Sequence, residues 1–183
     1  MVSREVLAAC RRGDPRAFEE VVRATHRQVY TQALRLVRDR QDAEDVAQEA
    51  YLRVFRGLAG FRGDAQFETW LYRIVANAAI THLRRRGRFG DVLAEPEDER
   101  LELPPGEPTS ADRAADREAL AHALESLPEP TRAIVVMKDM YGLSCREIGD
   151  MVGASEGAIK VRLHRARKRL KDALFETEDR DEM

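Results

Sequence analysis

Few residues in this chain are placed for covalent chemistry. Cys10 and Cys145 are the only cysteines, far apart and without a CxxC pair or a nearby histidine, which argues against a zinc site or a disulfide framework and fits a reducing compartment. Asp42, Glu44, Asp45 and Glu49 can be imagined as metal ligands, but on one helix they spread over too much of its circumference to converge on an ion. No nucleophile is paired with a base and no glycine-rich loop is built for phosphate, so the sequence predicts neither an enzyme nor a bound cofactor or metal. What it does offer is non-covalent recognition of a polyanion. Seven Lys and Arg lie between Lys160 and Lys171, with no acid among them.

Their spacing gives that charge a direction. Ile159, Leu163, Ala166 and Leu170 recur at helical intervals and form a stripe to be buried, while Lys160, Val161, His164, Arg165 and Lys168 fall on the opposite face. Long basic side chains on such a face reach phosphates and guanine edges, and Val161 can touch a thymine methyl. The alternative is a helical hairpin with a merely solvated basic face, and the absence of acids counts against it. His164 adds little by itself, since a lone histidine is ordinarily a polar surface residue.

The elements needed to present that helix are also written in the sequence. Ser144 stands three residues before Glu147, the spacing of a capping box, and opens a short helix with Ile148, Gly149 and Val152. Gly149 is small where two helices approach closely. Val152-Gly153-Ala154-Ser155 supplies a tight turn, with Ser155 available to cap the next helix. A short helix, a turn and a second helix with a free basic face make a helix-turn-helix.

Almost every other stretch is also helical in period, so the fold class is all-α. Asp14-Pro15 opens a first long helix whose apolar positions are Phe18, Val21, Val22, Val29, Tyr30, Ala33, Leu34 and Val37. A second runs 42–58 and buries Val46, Ala47, Ala50, Tyr51, Val54, Phe55 and Leu58. A third runs 65–86 on Phe67, Trp70, Leu71, Ile74, Val75 and Ala78, with Trp70 read as a core residue. Shorter helices are expected over 112–126, 129–140 and 144–151, and the basic one over 155–173. Residues 89–112 hold four of the seven prolines and read as a flexible acidic linker. The chain thus divides into a domain 1–88, the linker 89–112, a domain 113–175 and an acidic tail 176–183.

The net charge of −2 conceals a segregation. Residues 1–90 carry 17 Lys and Arg against 11 acids, residues 91–118 carry 3 against 10, residues 119–174 carry 10 against 7, and the tail carries 1 against 5. Two basic blocks around an acidic strip suggest two surfaces that meet a polyanion. There is no apolar run long enough to cross a membrane and no apolar signal core in residues 1–12, so a cytoplasmic protein without membrane insertion is expected.

DAEDVAQEAYLRVFRGL (42–58) followed by FETWLYRIVANAAITHLRRRGR (67–88) resembles the second conserved region of bacterial sigma factors, more narrowly the extracytoplasmic-function (ECF) group. ALESLPEPTRAIVVMKDMYGLSCREIGDMVGASEGAIKVRLHRARKRL (123–170) looks like that group's fourth region. The resemblance implies that the 42–58 helix docks on the coiled coil of the β′ subunit of core RNA polymerase through Asp45, Gln48, Glu49 and Arg53, with further contacts to β. It implies that the 65–86 helix holds the melted −10 strand. There Arg73, Asn77, Thr81 and Arg84 share one face, and Arg85 adds a further phosphate contact. The loop 60–66 resembles the loop that captures a flipped-out base. Duplex −35 recognition maps onto Lys160, Val161, His164 and Arg165, with Arg146 as a phosphate contact. Ala158 and Val161 depart from the family's usual Thr and Ser, which leaves the preferred −35 sequence open. The linker resembles a connector that threads polymerase channels, and an anti-sigma partner is a family expectation. A stand-alone helix-turn-helix regulator of duplex DNA is the rival reading.

Overall fold

The computed structural model describes residues 2–61, 66–88 and 123–181, and for 175–181 it describes the backbone alone. Most of the base-capturing loop, the linker 89–112 and the start of the 112–126 helix lie outside these residues. The chain splits into two compact units, Met1–Gly87 and Arg88–Met183. Every described element is helical.

In the first unit α1 (Arg4–Arg11) packs mainly on α2 (Pro15–Val37), and α2, α3 (Arg40–Leu58) and α4 (Phe67–Arg85) pack mutually. Asp14 caps α2 by accepting from Arg16 N at 2.9 Å, with Pro15 in the first turn where a missing N–H costs nothing. The α2 chain ends with Arg38 at φ 55°, where its N–H donates to Leu34 O. Asp39 caps α3, so that helix starts two residues earlier than its apolar period suggests. The core holds Val21, Val29, Leu36, Val46, Ala50, Val54, Leu58, Leu71, Val75 and Leu83. Gln32 crosses it to donate Nε2 to Tyr72 O at 2.9 Å, tying α2 to the middle of α4.

Two expected core positions on α3 differ. Tyr51 is half-buried, its hydroxyl 2.9 Å from that of Thr25, and burial pushes its phenol up against the opposing effect of that bond. Phe55 is 60% exposed. The buried stripe is centred on Ala50 and Val54, and Phe55 lies about 100° round the helix from Val54, so only its edge meets Phe18, at 5.0 Å between centroids. On α4, Trp70 and Ile74 are half-buried rather than central. Trp70 sits with Phe61 (5.0 Å) and Phe67 (5.9 Å), one ring carbon 3.1 Å from where a Cβ on Gly57 would lie. That cluster packs the start of α4 against the end of α3.

In the second unit α5 (Glu129–Val135) continues into a π-helical turn, Val136–Met140, where a single long helix 129–140 was expected. α6 (Cys145–Val152) and α7 (Glu156–Asp181) follow. Ile134, Met137, Leu143, Ile148, Val152, Ile159, Leu163 and Ala166 fill the core. The capping box forms as the sequence implies: Glu147 N donates to Ser144 Oγ at 3.1 Å and Ser144 N donates to the Glu147 carboxylate at 2.8 Å. Gly153 adopts φ 74° and donates to Gly149 O at 2.7 Å. Ser155 Oγ then accepts from Ala158 N at 3.1 Å to open α7.

Gly149 is where the turn closes on α6. A Cβ there would stand 2.6 Å from Ala154 O, a backbone atom that cannot move without opening the turn. Replacing Gly149 by Val should therefore destabilise the second unit by about 2 kcal/mol, in the range of core overpacking. In a urea titration followed by circular dichroism, the transition of this unit should move to lower urea while that of the first unit stays. An unmoved transition would mean that the close approach is not a constraint.

Candidate nucleic-acid interface

Burial of Ile159, Leu163, Ala166 and Leu170 turns the rest of α7 outward, as the sequence spacing implied. Lys160 and Lys168 are exposed, and Val161, His164 and Arg165 are half-buried at the edges of the same face. Not every cation of the basic run is offered. Arg162 is buried at 8% exposure, and Arg167 is drawn onto Asp139 of the π-helical turn at 2.5 Å. Lys160 Nζ lies 2.7 Å from Glu156 Oε1 one turn earlier. This pairing holds the Glu156 carboxyl below its ordinary range and the Lys160 ammonium above its own, and Arg146 lowers Glu156 further. The expected −35 residues lie on α6 and α7 of one unit.

On α4, Arg73, Arg84 and Arg85 are exposed, and Asn77 and Thr81 are half-buried between them. Asn77 Nδ2 donates to Arg73 O at 3.1 Å, and Thr81 Oγ1 donates to Asn77 O at 2.7 Å. Both side chains are thereby steered along their own helix. One amide hydrogen of Asn77 is used on the backbone, which leaves Oδ1 and the second N–H free to meet a base edge.

On α3, Asp45 and Gln48 are exposed, and Glu49 accepts from Arg53 Nε at 2.8 Å. These four residues line one groove together with Leu52, Thr81, His82 and Arg85. The face expected to meet polymerase and the C-terminal half of the face expected to meet DNA are therefore adjacent. Leu52, 48% exposed in the middle of this polar patch, was missed in the sequence. Its signal was present, since it lies in helical phase with Asp45, Gln48 and Glu49 rather than with Val46, Ala50 and Val54.

Asp42 was missed as well. It is fully buried, with Oδ2 2.8 Å from Arg86 Nη1 and Oδ1 3.2 Å from His82 Nε2, both on α4. Glu44 and Asp45 are exposed, so these carboxylates do not converge on a common centre. An acid four residues before Val46 and eight before Ala50, in phase with the buried stripe, was the available clue.

Comparison with known proteins finds a family match in each half of the chain. Residues 21–89 match the model of sigma-70 region 2 and residues 117–170 that of sigma-70 region 4. The RNA polymerase sigma-H factor of Pseudomonas aeruginosa is 35% identical over 93% of this chain and 92% of its own length. The ECF RNA polymerase sigma factor SigM of Mycobacterium tuberculosis is 40% identical over 91% of this chain and 81% of its own length. In fold, the chain is similar to the sigma factor RpoE co-crystallised with the anti-sigma factor NepR from Bartonella quintana (TM-score 0.54, 23% identity, 86% of this chain and 96% of that one). The region 2 match is what a stand-alone helix-turn-helix regulator would lack. The chain belongs to the ECF sigma factors, the non-enzymatic family that directs RNA polymerase to its promoters.

Proposed function

We propose that the two basic faces divide promoter recognition between them. Region 2, residues 1–88, captures the −10 element as melted strand on α4, with Arg73, Arg84 and Arg85 on phosphates and Asn77 and Thr81 at base edges. Region 4, residues 113–175, reads the −35 duplex with Lys160, Val161, His164 and Arg165 of α7, while Arg146 of α6 holds a phosphate. The acidic linker 89–112 joins the two readers, and the tail 176–183 lies beyond them. The observation that carries this reading is the pair of separate compact units, each with a buried stripe on one side of a helix and cations on the other.

Each reader alone is weak. Core polymerase, by holding both at the spacing of the promoter elements, converts the second contact into an intramolecular one and multiplies the affinities. The docking face for the β′ coiled coil is Asp45, Gln48, Glu49 and Arg53 of α3, with Leu52 as an apolar anchor among them and β contacted elsewhere. The protein acts in the cytoplasm, where polymerase and promoter are found. None of the helices among the described residues is long and apolar enough to cross a membrane. An anti-sigma factor is a further partner of this chain, supported by the likeness to RpoE, which was crystallised with NepR.

Transcription in vitro with bacterial core polymerase, the purified chain and a pool of genomic promoter fragments tests the division. Specific initiation is expected, falling about tenfold or more with Asn77→Ala or Lys160→Ala, the loss of one good base contact. Duplex binding without core and no initiation with it would refute the reading. The anchor is tested separately. Leu52→Asp should weaken core binding in a competition assay by about tenfold or more, as for an interface hot spot, with the melting temperature little changed. Undiminished core affinity would exclude Leu52 from the interface.

A further inference from the structure

Residues 156–171 of α7 hold a single acid, Glu156, followed by seven Lys and Arg. It stands in the first turn, with Oε1 2.7 Å from Lys160 Nζ, and the two side chains are about half exposed, 47% for Glu156 and 48% for Lys160. An acid there favours the helix through its dipole and through the i,i+4 pair, but an exposed pair is worth little. On a face that meets DNA the same acid carries a cost, because the phosphates along the groove repel it. The first turn of a recognition helix is also the part that reaches base edges. Glu156 therefore stands where a side chain can read a base, and it is an acceptor among donors.

We infer that Glu156 and Lys160 together read one G·C pair of the −35 element, Lys160 donating to guanine O6 and N7 and Glu156 accepting from N4 of the paired cytosine. This rests on the reading of α7 as the −35 helix and adds to it a specificity-determining carboxylate. The physical argument is a match of donors to acceptors. In the major groove a G·C pair sets the O6 acceptor beside the N4 donor, and these two atoms, bonded to each other, lie about 2.9 Å apart. The ion pair presents the complement, a donor beside an acceptor, at 2.7 Å. One N–H of the Lys160 ammonium is used on Glu156, and the two that remain suffice for O6 and N7. Glu156 is purely an acceptor when ionised, and its carboxyl is held below the ordinary range by the Lys160 hydrogen bond, then by the charges of Lys160 and Arg146. The other base pairs fit less well. A·T and C·G set a donor against Lys160 and an acceptor against Glu156. T·A matches at O4 and N6, but it puts the thymine methyl against the ammonium and adenine N7 beside the carboxylate.

The test uses holoenzyme reconstituted from core polymerase and the full chain, on a promoter it initiates from. Each −35 base pair is changed in turn to the other three, and open-complex formation is measured on every template. Wild-type holoenzyme should favour G·C over A·T and C·G at one pair by about tenfold or more. Glu156→Gln, which keeps the shape but offers a donor as well as an acceptor, and Glu156→Ala should each weaken that preference by about fivefold or more, with preferences at the other pairs unchanged. Lys160→Ala should relax the same pair, and adding Glu156→Ala to it should cost little more, because the two side chains act on one base pair. A carboxylate that only stabilises the helix or repels phosphates would change binding by one common factor on every template. That result overturns the inference, as does relaxation of different pairs by the Glu156 and Lys160 variants, with α7 still the −35 helix. If Lys160→Ala, His164→Ala and Arg165→Ala all leave every −35 preference intact, the reading of α7 itself falls.

Discussion

The constraint on which the rest depends is that a helix can offer a face to a partner only if its opposite face is buried in a fixed phase. On α7 the phase is set by Ile159, Leu163, Ala166 and Leu170, each nearly out of solvent. Burying such a side chain is worth about 1.5–3 kcal/mol for Ile or Leu, so rotating the helix by one residue is not affordable. On α4 the stripe of Leu71, Val75, Ala78, Ala79 and Leu83 does the same. Everything recognitional follows from the remainder of each circumference.

Polar contacts then refine what burial fixes coarsely. The Gln32 bond to Tyr72 O pins the middle of α4, and Asp42 pins its end through His82 and Arg86. In the second unit the close approach of Gly149 to Ala154 sets the angle between α6 and α7, and Asp139 draws Arg167 aside. In both units a carboxylate pairs with one arginine of a basic run, Asp42 with Arg86 and Asp139 with Arg167.

Much of this was legible in the sequence, because helix phase and capping are local. The stripe on α7, the Ser144–Glu147 box, the Gly153 turn and the exposed edge of Arg73, Arg84 and Arg85 all follow from spacing within about four residues. What escaped depends on contacts between segments distant in the chain. Phe55 has the composition of a core residue, yet its exposure is decided by where α2 and α4 lie around α3. Leu52 was hidden by the same uncertainty in the width of the stripe. Asp42 looked like one more surface acid beside Glu44 and Asp45, since its partners His82 and Arg86 are about forty residues away in sequence. The π-helical turn at Val136–Met140 left no local signal that spacing could reveal.

The most direct test of two surfaces reading two promoter elements is site-specific photocrosslinking in the open complex. A crosslinker at Lys168 on α7 and another at Arg84 on α4 would each be mapped on the promoter strands. The account predicts that position 168 marks upstream duplex and position 84 marks the melted stretch near the start site, both only when core polymerase is present. Crosslinks from both positions to one stretch of duplex, or equal crosslinking without polymerase, would contradict it.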